Sequence, residues 1–272
     1  MKVTAKTKIC MVIGDPIDHS LSPVMHNAGF ASIGINNQFI FIAAKVNIKN
    51  IKHIPEIMKI LGIRGISLTI PHKIEIIKHL GKNQIDPIAK RIGAVNTLVN
   101  DNGRIKGFNT DWTGILKPLE KITNLNDKRI AIIGTGGVAR AAAFALSNKK
   151  AKLIFFGRNL EKVKKIAKAF GGSAKSLNNL GDLTTVDIIF NATPIGMQNA
   201  LETPVPKAVL NDRQIIFDAV YKPGGTKLLN DAKEKGTATI DGLELLLHQG
   251  LVQFELFTGK KAPVEAMRRS LS

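Results

Sequence analysis

The sequence predicts an α/β protein of two domains, a mixed-sheet domain followed by a doubly wound, Rossmann-type one. Three observations carry that prediction. Short apolar runs alternate with helical stretches along almost the whole chain, the pattern of strands covered by crossover helices. A glycine-rich turn, GTGGVARAA, follows directly on an apolar run near mid-chain. The 272 residues are too many for one ordinary core and comfortable for two. The expected division is residues 1–110 and 111–242, with C-terminal helices in 243–272 packing back at the domain junction.

In the first domain KICMVIG (8–14) reads as a strand, SPVMHNAGFASIG (22–34) as a helix and QFIFIAAK (38–45) as a second strand. NIKNIKHIPEIMKILG (47–62) reads as one helix. GISLTI (65–70) follows as a half-buried third strand, because Ile66, Leu68 and Ile70 alternate with Ser67 and Thr69. Pro71 removes a backbone donor and stops it. After the helical KIEIIKHL, the segment 94–110 carries Asn-Asp and Asn-Gly pairs that mark a hairpin tip, giving this sheet an antiparallel end.

DWTGILKPLEKI (111–122) reads as a connecting helix, and KRIAIIGTGGVARAAAFALS (128–147) opens the second domain. AKLIFFGRN, the helix LEKVKKIAKAFG, the strands VDIIFNATPIG and QIIFDAV, and a short TATIDG continue the alternation. Such repetition gives a doubly wound sheet with right-handed crossovers. The apolar LELLLHQGLVQFELFTG (243–259) closes the chain as a helix.

Composition narrows the function. Against 21 Asp and Glu stand 39 Lys and Arg, a formal net charge of +18. These cations are spread along the chain, many on helical faces such as KVKKIAKAF, and one Trp and one Tyr form no stacking platform for single-stranded bases. The expectation is a basic, solvated surface that attracts anionic small molecules, not a nucleic-acid binder. The single cysteine, Cys10, excludes an internal disulfide, and a reducing, cytoplasmic location is expected. No apolar run approaches the roughly 18 residues of a membrane span, so no membrane association is expected. Asp15-Pro16 ends the first apolar run too early for a secretion signal. The six histidines show no ligand spacing, so no metal is expected.

Within the glycine turn, Gly134 allows a tight bend, Gly136 lets backbone approach a pyrophosphate, and Ala139 permits close helix–strand packing. The helix that follows supplies free N–H groups and a positive dipole end. An acid about 20 residues on would accept the ribose 2′-hydroxyl of NAD. Here the second strand ends in Gly157-Arg158-Asn159 instead, and a guanidinium suits the 2′-phosphate of NADP. Glu161 is near, but in a first helical turn acids are common for capping reasons. At the end of the third strand stands Lys73, a cation with no structural task there, although solvation is the ordinary fate of a lysine.

The stretches IGDPIDHSLSPVMHNAGF, LTIPHK, IGAVNTL, GFNTDW, GTGGVARAA, NATPIGM, FDAVYKPGGTKLL and DGLELLLHQG occur in this order. Together they resemble the shikimate dehydrogenase family over nearly the whole chain. The resemblance implies NADP-dependent, reversible reduction of 3-dehydroshikimate to shikimate, with a substrate domain, a Rossmann-type domain and an active cleft between them. It implies Lys73 and Asp111 as the catalytic pair, the lysine delivering a proton to the oxygen that hydride transfer leaves charged. Ser20 and Ser22 would hold the substrate carboxylate with Tyr221 near it, while Ser67, Thr69, Asn96 and Gln249 would read ring hydroxyls. NADP would rest on Gly134, Thr135, Gly136, Gly137, Val138, Arg158, Asn159, Lys162, Thr193, Ala219 and Gly242.

Each assignment has a plainer alternative in the residues. Ser20 and Ser22 could cap the helix that starts at Pro23, Asp111 could cap its own helix, Asn96 could be an ordinary strand residue, and His72 and His248 read as packing residues. The chain departs from the family pattern at Ser67, where an asparagine is frequent, and at Trp112, where a small residue is common. It departs again at Asn159-Leu160, where a threonine or serine usually follows the cofactor arginine. An NAD-using quinate/shikimate dehydrogenase and a non-catalytic dinucleotide-binding protein are the competing readings. The expected assembly is a monomer or homodimer.

Overall fold

Two β-sheets organise the chain, one in each of two units, Met1–Thr110 with Leu246–Ser272 and Asp111–Leu245. The computed structural model describes residues 3–271. The first unit runs β1 (Lys8–Gly14), α1 (Ser22–Ser32), β2 (Phe39–Lys45), α2 (Ile54–Ile60), β3 (Gly65–Leu68), α3 (His72–Glu75), α4 (Pro87–Ile92), β4 (Thr97–Asp101) and β5 (Arg104–Phe108). Its sheet has the order β2-β1-β3-β4-β5, parallel through β3 and antiparallel beyond it, the mixed sheet that the hairpin signal predicts.

Three local expectations are corrected. The third strand is not half-buried. All four residues of β3 are buried and Ile70, at 40% exposure, lies outside it, because β3 is the central strand and both of its faces are covered. The helix expected over 47–62 is a 3-10 turn, Ile48–His53, followed by α2. Asn47 starts the turn by accepting from the Lys49 N–H, and Pro55 has no N–H with which to continue the ladder. The helical KIEIIKHL resolves into one α turn, α3, and a 3-10 turn, Ile76–His79.

The second unit holds α5 (Asp111–Glu120), β6 (Arg129–Ile133), α6 (Gly137–Ser147), β7 (Lys152–Gly157), α7 (Leu160–Phe170), β8 (Ser173–Ser176), β9 (Ile188–Asn191), β10 (Ile215–Asp218), α8 (Lys227–Glu234) and β11 (Ala238–Ile240). The chain closes with α9 (Gly242–Thr258) and α10 (Val264–Arg269). The second sheet is all parallel in the order β11-β10-β9-β6-β7-β8. Strand order reverses between β6 and β9, the place where such sheets bind ligands. No apolar pattern announces β8, SAKS, because an edge strand of small polar residues is held by backbone pairing alone.

The last helices close the first core. Arg64 donates from Nε to the Phe257 carbonyl (2.9 Å), from Nη2 to Leu256 (3.2 Å) and from Nη1 to Asn100 (2.7 Å), so one guanidinium satisfies the end of α9 and ties it to β4. Beside it, the Phe257 ring occupies the space that a Cβ on Gly65 would need. Gly65→Ala therefore overpacks the seat of α9 and should cost about 1–3 kcal/mol, read as a lowered unfolding midpoint. At the sheet edge, the Asn27 amide makes both hydrogen bonds to the Phe41 backbone, 2.9 Å from its N–H and 2.8 Å to its carbonyl. Among the described residues no helix is long and apolar enough to cross a membrane.

Candidate active site

Sheet direction gathers the candidate residues of the first unit at one edge. β1 and β3 end there, antiparallel β4 begins there, and β5 ends there. Ser20 and Ser22 follow β1, Thr69 and Lys73 follow β3, Asn96 precedes β4, and Thr110 follows β5, with Asp111 next in the chain. Backbone bonds fix this cluster. The Val95 N–H donates to the Lys73 carbonyl at 2.8 Å, Leu68 N–H to Asn96 at 2.7 Å, and Asn96 N–H to Phe108 at 3.0 Å. Gly14 is required here, since a Cβ would collide with the Thr69 methyl.

Ser22 is buried and Ser20 half-buried; Leu21 holds the cap position of α1, and the Ser20 Oγ accepts the N–H of Ser22, the first helical residue, at 3.4 Å. Asn96 and Gln249 are buried polar residues joined by hydrogen bonds. The Asn96 Oδ1 accepts from the Thr110 N–H (2.7 Å) and the Thr97 hydroxyl (2.8 Å), while its Nδ2 donates to Thr110 Oγ1 (2.9 Å) and Gln249 Oε1 (3.3 Å). The Ser67 hydroxyl, buried in the central strand, donates to Gln253 Oε1 at 2.8 Å. Thr97 and Thr110 lie inside the stretches IGAVNTL and GFNTDW, where the neighbouring Asn96 and Asp111 carry the expected chemistry, and Gln253 lies just past DGLELLLHQG. The legible signal is Gln249 and Gln253, four apart on one face of a largely apolar helix. His72 is buried with Nε2 2.8 Å from the Val46 carbonyl, and burial holds its imidazole below the usual range. It anchors α3 as a packing residue.

Asp111 opens α5 and is 1% exposed, and Trp112 beside it packs edge-on against Phe144 of α6 at 5.9 Å. In the second unit the glycine turn lies between β6 and α6. Gly134 has φ +122°, and a Cβ there would stand 3.0 Å from the Ala192 carbonyl oxygen. Gly136 caps α6 without a side chain, and a Cβ on it would meet nothing within 4 Å. That open space before unpaired helix N–H groups fits a pyrophosphate. Thr135, Gly137 and Val138 are part-exposed around it, and Ala139 is buried beneath.

At the tip of β7, Arg158, Asn159 and Lys162 are exposed. Asn159 caps α7, its Oδ1 accepting the Lys162 N–H at 3.0 Å, and Glu161 is engaged by Lys164 at 3.0 Å. Gly242 is packed tightly, its missing Cβ 2.6 Å from the Ala219 carbonyl oxygen, while Ala219 and Tyr221 lie in the loop after β10. Among the described residues no group of three or more His, Cys, Asp or Glu could hold a metal ion.

Thr193 is oriented by Asn191, whose Oδ1 accepts both its N–H (3.0 Å) and its hydroxyl (2.7 Å). Asn191 in turn donates to Asp218 at 2.8 Å, which also accepts from Thr226 (2.6 Å) and the Val220 N–H (3.0 Å). Asn191 and Asp218 are register partners at the ends of β9 and β10, a polar pair at the close of two apolar strands that the sequence displays. Burial pushes the Asp218 carboxyl up to about 6 despite its three donors. The folded chain therefore holds a proton that the unfolded chain releases near 3.8. That contribution to stability is full below about 4 and is lost as pH rises through about 6, a change of about 3 kcal/mol. It should appear as the pH-dependent difference in urea midpoint between the native chain and Asp218→Asn. The comparison cancels His26, whose imidazole burial lowers to about 3 and whose contribution runs in the opposite direction.

An all-parallel sheet with a glycine turn at its strand-order reversal, together with a second sheet whose edge collects Thr69, Lys73 and Asn96, is the architecture of a two-domain, dinucleotide-dependent oxidoreductase. The family model for the shikimate dehydrogenase substrate binding domain matches residues 12–98, that for shikimate / quinate 5-dehydrogenase residues 118–219, and that for the shikimate 5'-dehydrogenase C-terminal domain residues 242–271. The shikimate dehydrogenase (NADP(+)) of Methanocaldococcus jannaschii is 41% identical over 280 residues, covering 99% of this chain and 98% of the relative. A solved shikimate dehydrogenase in complex with NADP+ matches with a TM-score of 0.90 at 40% identity, over 99% of this chain and 96% of that one. The Thermus thermophilus enzyme, in complex with NADP(H) and shikimate, gives 0.88 at 31%, over 97% and 98%. The chain belongs to the shikimate dehydrogenase family and is an oxidoreductase.

Proposed function

We propose that the chain catalyses the reversible, NADP-dependent reduction of 3-dehydroshikimate to shikimate, with residues 1–110 and the C-terminal helices binding the substrate and residues 111–242 the cofactor. The observation that carries the assignment of residues is the single sheet edge at which Thr69, Lys73 and Asn96 come together, with Gln249 hydrogen-bonded to Asn96. NADPH, held by the glycine turn and Arg158, would supply a hydride to the ketone carbon. The C=O π pair moves to oxygen, and the Lys73 ammonium donates the proton that converts this alkoxide to a hydroxyl. Lys73 then regains a proton from solvent. Asp111 accepts from the substrate's neighbouring hydroxyl and holds the ammonium in orientation.

Ser20 and Ser22 donate to the ring carboxylate, with Tyr221 near it. Thr69, Asn96 and Gln249 read ring hydroxyls, and Ser67 completes the subsite. Thr193, Ala219 and Gly242 complete the wall of the dinucleotide site around the glycine turn, and Lys162 and Asn159 flank Arg158. The location proposed is cytoplasmic, and the assembly a monomer or homodimer. A spectrophotometric assay of shikimate with NADP and with NAD, and of quinate in parallel, tests the proposal. Turnover of shikimate with NADP well above the other three combinations is expected; faster turnover with NAD or with quinate would replace it by the NAD-using or quinate-oxidising reading.

A further inference from the structure

Gln253 is 1% exposed on α9, and its amide closes two hydroxyls at once. Its Oε1 accepts from Ser67 Oγ at 2.8 Å and its Nε2 donates to Thr97 Oγ1 at 2.9 Å. Ser67 and Thr97 are cross-strand partners of β3 and β4, so the amide spans the central strand pair from the helix side. The direction of the bonds is dictated by one backbone group. The Thr110 N–H, 2.7 Å from Asn96 Oδ1, makes that atom an acceptor. Thr97 then gives its only proton to Asn96 Oδ1 and can only accept from Gln253. Acceptance requires the amide nitrogen on that side, which leaves Oε1 for the Ser67 hydroxyl. With Oδ1 so occupied, the Asn96 Nδ2 is turned toward Gln249 and Thr110.

We propose that Gln253 is a positioning residue for substrate recognition: through Thr97 it holds the Asn96 amide in its binding orientation, and by the same amide it orders Ser67. This rests on the reading above, in which Asn96 contacts the substrate. A carboxylate at 253 has no proton to give Thr97, and an apolar side chain leaves the buried Ser67 hydroxyl without its acceptor and the Thr97 oxygen without its donor. In either case no donor fixes the Thr97 oxygen, and its bond to Asn96 Oδ1, one of the two that hold that atom, is weakened.

The experiment is steady-state oxidation of shikimate by variants, with KM for each substrate measured separately. Gln253→Met keeps the length and removes both bonds. KM for shikimate should rise about five- to fifty-fold, with KM for NADP within about two-fold of the native value and kcat falling less than KM rises. Thr97→Val, nearly isosteric and suited to a strand, should give the same split. The double variant should be little worse than the poorer single one, because both changes break one chain. If Gln253→Met fails to fold, Thr97→Val carries the test alone. A lowered unfolding midpoint with native KM for shikimate in both variants would reduce Gln253 to a packing residue. Asn96→Ala separates the two levels of the argument. If it raises KM for shikimate and the Gln253 and Thr97 variants do not, the proposal fails and the site stands. If Asn96→Ala also has no effect, the site assignment itself fails.

Discussion

Lys73→Met should lower kcat by about 10²–10⁴-fold, the usual contribution of a positioned proton donor. The substitution keeps the aliphatic stem and removes the ammonium. Lys73 is the second residue of a single helical turn, fixed at its backbone by the bond from Val95 and at its neighbour by buried His72. The stem should therefore stay where it is, and the loss should be chemical. An equal fall in kcat and kcat/KM would mark an interaction made only in the transition state. KM for NADP should hardly move, since the lysine belongs to the other unit. Asp111→Asn should also slow turnover, and on the proposed pairing the double variant should lose much less than the product of the single effects. Retention of more than about a tenth of native kcat by Lys73→Met would make the lysine a solvated residue and require another proton source.

Arg158→Ala should raise KM for NADP about ten- to hundred-fold and leave KM for NAD nearly unchanged, on the roughly 1.5–3 kcal/mol of a charged hydrogen bond. Arg158 is exposed at the tip of β7, the position from which the ribose of a dinucleotide is read. The nearby acid that could have favoured NAD, Glu161, is engaged by Lys164, and Asn159 is committed through Oδ1 to capping α7. Little but the guanidinium remains to choose between a 2′-phosphate and a 2′-hydroxyl. Equal use of NADP and NAD by the native chain would contradict this assignment, and Lys162 would be the next cation to vary.

Much of this was legible in the chain itself. Apolar runs placed β1, β2, β6, β7, β9 and β10, and the glycine spacing of GTGGVARAA placed the dinucleotide turn, because backbone period and turn chemistry are local properties. Arg158 and Lys73 could be suspected for the same reason: each is a cation standing just past an apolar strand.

Other features were decided only by packing. Whether Ser67 is half-exposed or buried depends on β3 being the central strand, and strand order is a long-range property. The uninterrupted helix expected over 47–62 gave way at Pro55, and the polar edge strand β8 has no side-chain pattern to betray it. The partners of Gln253, Thr97 and Asp218 stay hidden until the fold brings residues up to 186 positions apart into hydrogen-bond contact. Local chemistry can be read along one strand of sequence, but the partner of a buried hydrogen-bonding group cannot, because its identity depends on which distant segment the fold brings within about 3 Å.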